Sequence, residues 1–256
     1  MRLDYRLHGP EGAHVVVLSS SLGTTQELWS RQLPELEQRF RVLTYDHPGH
    51  GASELPEDAS TVERFADGLL GLLDELRLRR VSLCGVSLGG MVGMALALDA
   101  PERVERLVLA CTSAHTGPRD RWAERSRIVR TEGMQAILDS VVRRWFTPAF
   151  EHEEPETVGR FRAMLAATPP EGYARCCQAI GTWDARERIS AIAVPVLVVA
   201  GADDSALPVE HAELIASRIP GARLVILERA AHLANVERAE AFTSAVLEHL
   251  GQEVPV

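Results

Sequence analysis

Two patterns of hydrophobic positions alternate along this chain: short apolar runs and longer amphipathic stretches. The short runs are rich in Val and Leu without regular alternation, as expected of strands covered on both faces. Between Thr61 and Leu78, apolar residues recur every three or four positions, which predicts an amphipathic helix. Strands are predicted at Val15–Ser19, Arg41–Tyr45, Val81–Cys84, Val104–Ala110, Val196–Ala200 and Arg223–Leu227. This alternation is typical of an α/β fold, a mostly parallel sheet covered by helices on both faces.

The rhythm changes between residues 115 and 191, where helical segments rich in Arg, Glu and Trp follow one another without a strand. Because this segment interrupts two predicted strands, we expect it to form a helical cap. Ligands of open parallel sheets bind beyond the carboxyl ends of the strands, and the cap would cover that region. The predicted organisation is therefore an α/β core in two parts, 1–114 and 192–256, with the cap at 115–191.

Composition limits the partners of the chain. The 36 acidic side chains outnumber the 27 basic ones, and the net charge of −9 argues against nucleic acid and against an anionic membrane surface. The first residues lack the apolar segment of a signal peptide, and no apolar run has the length of a membrane span. We therefore expect a cytoplasmic protein that acts on a small molecule. An anionic substrate would need a local cationic anchor.

Neither a metal nor an organic cofactor is predicted. The four cysteines form no C-x-x-C pair and no cluster with histidine, so reduced thiols are expected, and Cys84 and Cys111 lie in apolar strand-like runs. Asp46, His47 and His50 do not have the spacing of a hydrolytic zinc site, and their segment is interpreted as a glycine-rich turn. No glycine-rich nucleotide-binding motif is present.

Candidate chemistry begins at residues 85–89, Gly-Val-Ser-Leu-Gly, between a predicted strand and a helix-like run. A strand that ends in G-x-S-x-G and turns into a helix is the nucleophile elbow of the α/β-hydrolases. The turn is so tight that a side chain at either glycine would collide with a neighbouring element. Ser87 is the predicted nucleophile. The backbone N–H of Leu88 is the predicted first donor of the oxyanion hole.

The elbow requires an acid and a base later in the chain, in the order Ser, Asp or Glu, His. His232 is the one histidine between the last predicted strand and the final helix, and it is the predicted base. Asp204 is the predicted orienting acid; the neighbouring Asp203 is separated from it only weakly by spacing. The rival histidines are His8, His14, His47, His50, His115, His152, His211 and His249.

A second oxyanion donor usually comes from the loop after an early strand. Here that loop is residues 19–24, Ser-Ser-Ser-Leu-Gly-Thr. The backbone N–H of Ser21 is the predicted donor, and an ordinary polar turn is the alternative.

Several segments together resemble the 3-oxoadipate enol-lactonases of the α/β-hydrolase superfamily, from about Leu18 to the final helix. The segments are 21–24 (SLGT), 45–46 with 49–53 (YD, GHGAS), 85–90 (GVSLGG), 144–148 (RWFTP), 172–173 (GY) and 230–237 (AAHLANVE). The RWFTP segment is the most specific of these, since general esterases do not share it.

The resemblance implies an enzyme of the β-ketoadipate pathway that opens the enol-lactone ring to give 3-oxoadipate through an acyl-enzyme, without a cofactor. The family's G-x-x-D-x-x-x-P loop matches Gly201, Asp204 and Pro208, which favours Asp204 over Asp203. Ser20 and Pro48 depart from the residues common in the family, an asparagine and an arginine.

The substrate so implied carries a carboxylate, which an arginine fork would bind. Arg130 is the predicted anchor, with Trp145 as a neighbouring wall. The other candidates in the cap are Arg125, Arg127, Arg143, Arg144 and Arg175. A carboxylesterase or another lactonase of the same fold is the alternative function, followed by a ligand receptor of this fold. The sequence does not predict the oligomeric state.

Overall fold

The structure, a computed structural model, describes residues 1–251. Its single sheet has the order β1-β3-β2-β4-β5-β6-β7, with β1 antiparallel to β3 and every other neighbouring pair parallel. The strands are β1 (Tyr5–His8), β2 (Val15–Ser19), β3 (Arg41–Tyr45), β4 (Val81–Val86), β5 (Val104–Ala110), β6 (Val196–Gly201) and β7 (Arg223–Leu227). The predicted α/β-hydrolase type of fold, with its mostly parallel sheet, is thus confirmed.

The edge strand β1 is the one strand of the described chain that the hydrophobic pattern did not predict. It has four residues, and none of its side chains is fully buried. It pairs with β3 from Tyr5 opposite Tyr45 to His8 opposite Val42. A short, half-exposed edge strand lacks the apolar run by which buried strands are recognised.

Eleven α-helices connect and cover the strands of residues 1–251. They are α1 (Leu33–Leu36), α2 (Val62–Glu75), α3 (Leu88–Asp99), α4 (Arg119–Glu132), α5 (Leu138–Trp145), α6 (Pro148–Glu153), α7 (Pro155–Ala167), α8 (Pro170–Thr182), α9 (Val209–Arg218), α10 (Ala234–Glu237) and α11 (Ala239–Gly251). The predicted amphipathic helix is α2, which begins where the Thr61 hydroxyl accepts a hydrogen bond from the Arg64 N–H. None of the described helices is long and apolar enough to cross a membrane.

The centre of the core is β4 with α3. All six residues of β4 are buried, and α3 is apolar around most of its circumference, from Leu88 to Ala97. A helix without a polar face must be enclosed on all sides. Here α3 packs against α2 on one side and against β2, β4 and β5 on the other. The turn between β4 and α3 is consequently held rigidly.

Helices α4–α8 follow one another between β5 and β6. This is the region in which the sequence predicted helices and no strands. Among them, α4 packs closely against α8, and a Cβ added at Gly181 would lie 2.9 Å from the Cβ of Trp122. A bridge between His115 and Asp184 joins the two ends of this excursion. The boundaries of the predicted cap, at residues 115 and 191, remain a prediction.

Candidate active site

Ser87 stands alone on a strained turn between β4 and α3. Its φ of +56° and ψ of −114° lie in a region that L-residues rarely occupy, and strain of this kind costs about 1 to 3 kcal/mol. The Ser87 N–H donates to the carbonyl of Ala110 at 2.9 Å, and the Thr112 hydroxyl donates to the Ser87 carbonyl at 2.6 Å. These contacts with β5 and the segment after it hold the turn in place.

The two glycines of the elbow are required by space. A Cβ at Gly85 would lie 2.3 Å from the carbonyl carbon of Gly89, and one at Gly89 would lie 2.0 Å from the carbonyl oxygen of Ser19. Both distances are far inside van der Waals contact, and both involve backbone atoms that cannot move aside. The G-x-S-x-G spacing therefore lets the turn close while Ser87 remains at its tip.

His232 and Asp204 form the buried pair that the sequence predicted. His232 Nδ1 donates to Asp204 Oδ2 at 2.7 Å, and the side chains are 7% and 1% exposed. The other carboxylate oxygen, Oδ1, accepts the N–H groups of Ala206 at 2.8 Å and Leu207 at 3.0 Å. Because both oxygens are occupied, the carboxylate fixes the tautomer of the imidazole and leaves Nε2 as the unprotonated nitrogen. Asp203, in contrast, is exposed.

Ser87 and His232 open into one cavity beneath helices α4, α5 and α8. The floor is formed by the strand ends and the loops after them: Ser21, Leu22, Ser87, Met91, Ala206, Leu207 and His232. The roof and walls are Thr116, Arg121, Trp122, Arg125, Val141, Arg144, Trp145, Tyr173 and Ile180. Trp145, a predicted binding residue, is therefore in this wall.

Backbone N–H groups without a protein acceptor lie beside the nucleophile. Ser21 and Leu22 both line the cavity, and Leu88 is the first residue of α3, where N–H groups have no partner within the helix. In residues 1–251, none of these three N–H groups donates to another residue. Unpaired donors at a helix N-terminus favour a negative charge next to them.

The cavity is positively charged. Three arginines line it, Arg121, Arg125 and Arg144, while no aspartate or glutamate of the described residues does so. None of the three forms an ion pair within residues 1–251. Burial, with the neighbouring cations Arg125 and Arg121 acting in the same direction, lowers the pKa of Arg144 to about 10. An anion in the cavity would relieve this mutual repulsion.

Tyr173 contributes a buried hydroxyl to the same wall. It is 1% exposed, and the positive charges of Arg125 and Arg144 lie near its phenolic oxygen. Burial raises the pKa of Tyr173, so the phenol remains neutral and keeps its proton available for an acceptor.

Arg130, the predicted carboxylate anchor, does not line this cavity, so the structure does not bring it together with Ser87 and His232. Its guanidinium is engaged by Glu171 through two hydrogen bonds of 2.6 and 2.9 Å, and it also donates to the Ser126 hydroxyl at 2.7 Å. It lines a separate cleft between α4 and α8. Arg130 lies one turn or more beyond Arg125 on α4, so the helix carries it away from the strand ends.

Sequence reasoning missed Arg121 and Tyr173 as cavity residues. One signal was present for Arg121, because it precedes Arg125 by four positions and so shares its face of α4. Tyr173 belongs to the segment that carries part of the family resemblance, but nothing in its surroundings indicated that it faces the nucleophile.

The loop that carries His232 is tied to α5. The N–H groups of His232 and Leu233 donate to the carbonyls of Arg144 and Trp145 at 3.3 and 3.0 Å. The carboxylate of Glu237 accepts from the Thr147 N–H at 2.7 Å and the Thr147 hydroxyl at 2.9 Å. It also accepts from the Ala231 N–H. The RWFTP segment therefore contacts the AAHLANVE segment directly.

No metal-binding cluster and no disulfide occurs in the part of the chain that the structure describes. No group of three or more His, Cys, Asp or Glu side chains could hold an ion there, and the four cysteines are free and buried. The polar groups of the cavity are those of acyl transfer: a hydroxyl, an oriented imidazole, and backbone donors.

Comparison with known proteins agrees with this geometry. A family model described as α/β hydrolase fold matches residues 14–239. The 3-oxoadipate enol-lactonase 2 of Acinetobacter baylyi is 36% identical over 244 residues, which are 95% of this chain and 91% of that protein. The crystal structure of the enol-lactonase from Burkholderia xenovorans superposes with a TM-score of 0.95 at 41% identity, over 98% of this chain and 96% of that one.

A protein named as a carbamate hydrolase, RutD of Klebsiella pneumoniae, is also similar. It is 32% identical over 268 residues, covering 100% of this chain and 98% of that protein. Both kinds of relative match nearly the whole chain. The chain belongs to the α/β-hydrolase fold family, and within that family it is similar to the 3-oxoadipate enol-lactonases in sequence and in structure.

Proposed function

We propose that this protein is a serine hydrolase that opens the lactone ring of 3-oxoadipate enol-lactone to give 3-oxoadipate. One observation carries the proposal: a single cavity joins Ser87 and the His232–Asp204 pair to three arginines without carboxylate partners. The first set supplies acyl-transfer chemistry, and the second selects a substrate that carries negative charge. The enol-lactone combines an ester bond with a carboxylate.

The first half of the reaction is attack on the ring. The Ser87 hydroxyl adds to the lactone carbonyl while His232 Nε2 takes its proton, and Asp204 stabilises the imidazolium that forms. The N–H groups of Leu88 and Ser21 hold the oxygen that becomes negative, with the N–H of Leu22 next to them. Collapse breaks the bond to the ring oxygen, which leaves as an enolate and takes the proton from His232. The enol tautomerises to the ketone, and His232 is again neutral.

The second half is hydrolysis of the acyl-enzyme. A water molecule gives a proton to His232 Nε2 and attacks the ester on Ser87. The same donors stabilise the second tetrahedral intermediate. When it collapses, the bond to the Ser87 oxygen breaks, this oxygen recovers its proton from His232, and the new carboxylic acid departs and loses its proton to water. The overall change is the addition of one water across the lactone bond.

The substrate's carboxylate would bind at the arginines of the roof. Arg144 is the preferred anchor, because it is half-buried and its Nε already donates to the carbonyl of Ser140 at 2.9 Å. Its two terminal nitrogens remain available for a bidentate pair with a carboxylate. Trp145, the next residue in the chain, would form an apolar wall beside the ring.

The test compares substrates on the same enzyme and identifies the nucleophile. Wild-type protein is assayed with the enol-lactone, with a neutral p-nitrophenyl ester of similar size, and with a carbamate. We expect kcat/KM to be highest for the enol-lactone and an acyl adduct on Ser87 to be trapped by mass spectrometry. Ser87→Ala should lose about 10⁴-fold or more in kcat without loss of fold.

Four results would contradict the proposal in different ways. Faster turnover of the neutral ester than of the enol-lactone would indicate a general carboxylesterase, and faster turnover of the carbamate would indicate the other kind of relative. Tight binding of the lactone without turnover would indicate a receptor. An adduct on a residue other than Ser87 would remove the proposed mechanism.

A further inference from the structure

Two buried histidines hold the loop of residues 20–23, which lines the same cavity as Ser87. They are His47 and His50, which belong to the predicted glycine-rich turn. Both are completely buried, and neither lines the cavity. Their hydrogen bonds nonetheless end on the backbone of residues 20–23.

The partners of each histidine define its tautomer. His47 Nε2 lies 2.8 Å from the carbonyl oxygen of Ser20, which can only accept, so Nε2 carries the proton. His50 Nε2 accepts the N–H of Gly23 at 3.0 Å, and its Nδ1 donates to the carbonyl of Pro48 at 3.2 Å. Burial lowers the pKa of His47 to about 3 and that of His50 to about 4. Both rings are therefore neutral at pH 7.

Peptide geometry links these contacts to the cavity. A trans peptide is planar, and its C=O and N–H point in opposite directions. The carbonyl of Ser20 shares its peptide plane with the N–H of Ser21, so a hydrogen bond from His47 to that carbonyl fixes the direction of the Ser21 N–H. No peptide bond of the described chain is cis, so the relation holds here.

The next peptide plane is fixed in the same way. The carbonyl of Ser21 accepts both the Thr24 hydroxyl at 2.8 Å and the Thr24 N–H at 3.2 Å, and this orients the N–H of Leu22. The plane after it carries the N–H of Gly23, which His50 holds. Three consecutive planes are thus anchored on the side away from the cavity, while the N–H groups of Ser21 and Leu22 are left without a protein acceptor.

We propose that His47 is a positioning residue for the reaction, because its hydrogen bond to the Ser20 carbonyl aims the Ser21 N–H at the oxyanion. The hydrogen bonds of Thr24 to the Ser21 carbonyl orient the Leu22 N–H in the same way. His50 holds the next peptide plane through the Gly23 N–H. The inference rests on the proposed function, since it assigns the source of the oxyanion geometry in that mechanism. Preorganised donors act in the transition state, so their loss lowers kcat more than it changes KM.

The experiment substitutes His47 with side chains of similar volume that either lack or keep a donor for the Ser20 carbonyl. His47→Leu removes the donor, whereas His47→Gln retains an N–H that can reach the Ser20 carbonyl. We expect His47→Leu to lower kcat by about 10- to 100-fold with KM changed by less than about threefold, and His47→Gln to recover most of the loss. The affinity for an alkyl trifluoromethyl ketone, whose hemiketal oxyanion occupies the same donors, should fall in parallel with kcat.

Two further variants separate positioning from folding. Thr24→Val removes the hydroxyl bond to Ser21 at constant shape, and it tests the adjacent plane if His47→Leu does not fold. His249→Leu is the matched control, because His249 is equally buried but lies on α11. We expect the control to lower the melting temperature without lowering kcat.

A fluorophosphonate distinguishes the two levels of the proposal. Complete labelling of wild-type Ser87 at the end point supports the serine hydrolase, and its absence would overturn the proposed function together with this inference. If wild type is labelled, unchanged kcat and ketone affinity in folded His47→Leu or Thr24→Val would overturn the positioning role alone. Equal losses in His47→Leu and His47→Gln would do the same.

Discussion

Two groups of arginines in helices α4–α8 differ in what surrounds them. Arg121, Arg125 and Arg144 face the catalytic cavity and have no carboxylate partner in residues 1–251. The outer group, which includes Arg127, Arg130 and Arg175, is paired with Glu124 and Glu171. Both groups include residues of α4, and all six side chains carry the same guanidinium group.

The difference separates a binding role from a structural one. A guanidinium already held by a carboxylate has little to gain from a second anion, and exposed pairs of this kind contribute only about 0 to 1 kcal/mol to stability. Clustered cations without a carboxylate partner repel one another, and a bound anion removes this repulsion, so the cluster favours anion binding. We infer that the inner group is kept for a ligand and the outer group for helix packing.

The largest effect is expected from Arg144→Met. The substitution keeps most of the aliphatic stem and removes the charge, so KM for the enol-lactone should rise by about 30- to 100-fold, the cost of losing a charge-assisted pair. Steady-state kinetics with the lactone and with a neutral p-nitrophenyl ester measure it. The neutral ester is the control, and its KM should change little. A similar rise for both substrates would mean that Arg144 shapes the cavity without binding a carboxylate.

A smaller effect is expected from Arg121→Gln. Arg121 is exposed where Arg144 is half-buried, and solvent screens its charge. KM for the enol-lactone should rise by about three- to tenfold, and the rise should shrink in high salt. Kinetics at low and high ionic strength check this. A loss as large as that of Arg144→Met would place the carboxylate nearer to α4 than to α5.

Arg130→Gln should leave KM for the enol-lactone unchanged, within about twofold, because its guanidinium is outside the cavity. Its only expected effect is a loss of stability of about 1 kcal/mol or less, since the pair with Glu171 is largely exposed. Urea unfolding and lactone kinetics on the same preparation test both statements. A clear rise in KM would return Arg130 to the binding site and contradict the distinction between the two groups.

The smallest effect is a pH dependence of stability at Glu171. Hydrogen bonds from Arg130 lower the pKa of Glu171 to about 2, and Arg175 acts in the same direction. A carboxylate whose folded pKa is depressed stabilises the fold above its unfolded pKa, and this contribution is lost as the pH falls from about 4.5 to about 2. Wild type should therefore lose up to about 1 kcal/mol more than Glu171→Gln across this range, after allowance for solvent exposure. Identical curves in urea unfolding would show that the pair adds nothing.

The sequence was sufficient where a local rule determines the structure. The G-x-S-x-G spacing placed Ser87, because only glycine fits at 85 and 89, and strand order placed Asp204 and His232 at neighbouring strand ends. The arginines could not be separated in this way. Whether Arg130 or Arg144 lies free depends on the position of Glu171, which is 41 residues from one and 27 from the other. No local pattern reports a pairing over such a distance.

The attachment of the His232 loop to α5 affects how substrate could enter the cavity and how product could leave it. Because the carbonyls of Arg144 and Trp145 hold the backbone of His232 and Leu233, lifting this helix would withdraw the imidazole from its working position. In the proposed mechanism, raising α5 to admit a substrate and cleaving the ester bond would therefore exclude each other. The proposed ester on Ser87 would be hydrolysed only once α5 had returned to the position that it has in this structure.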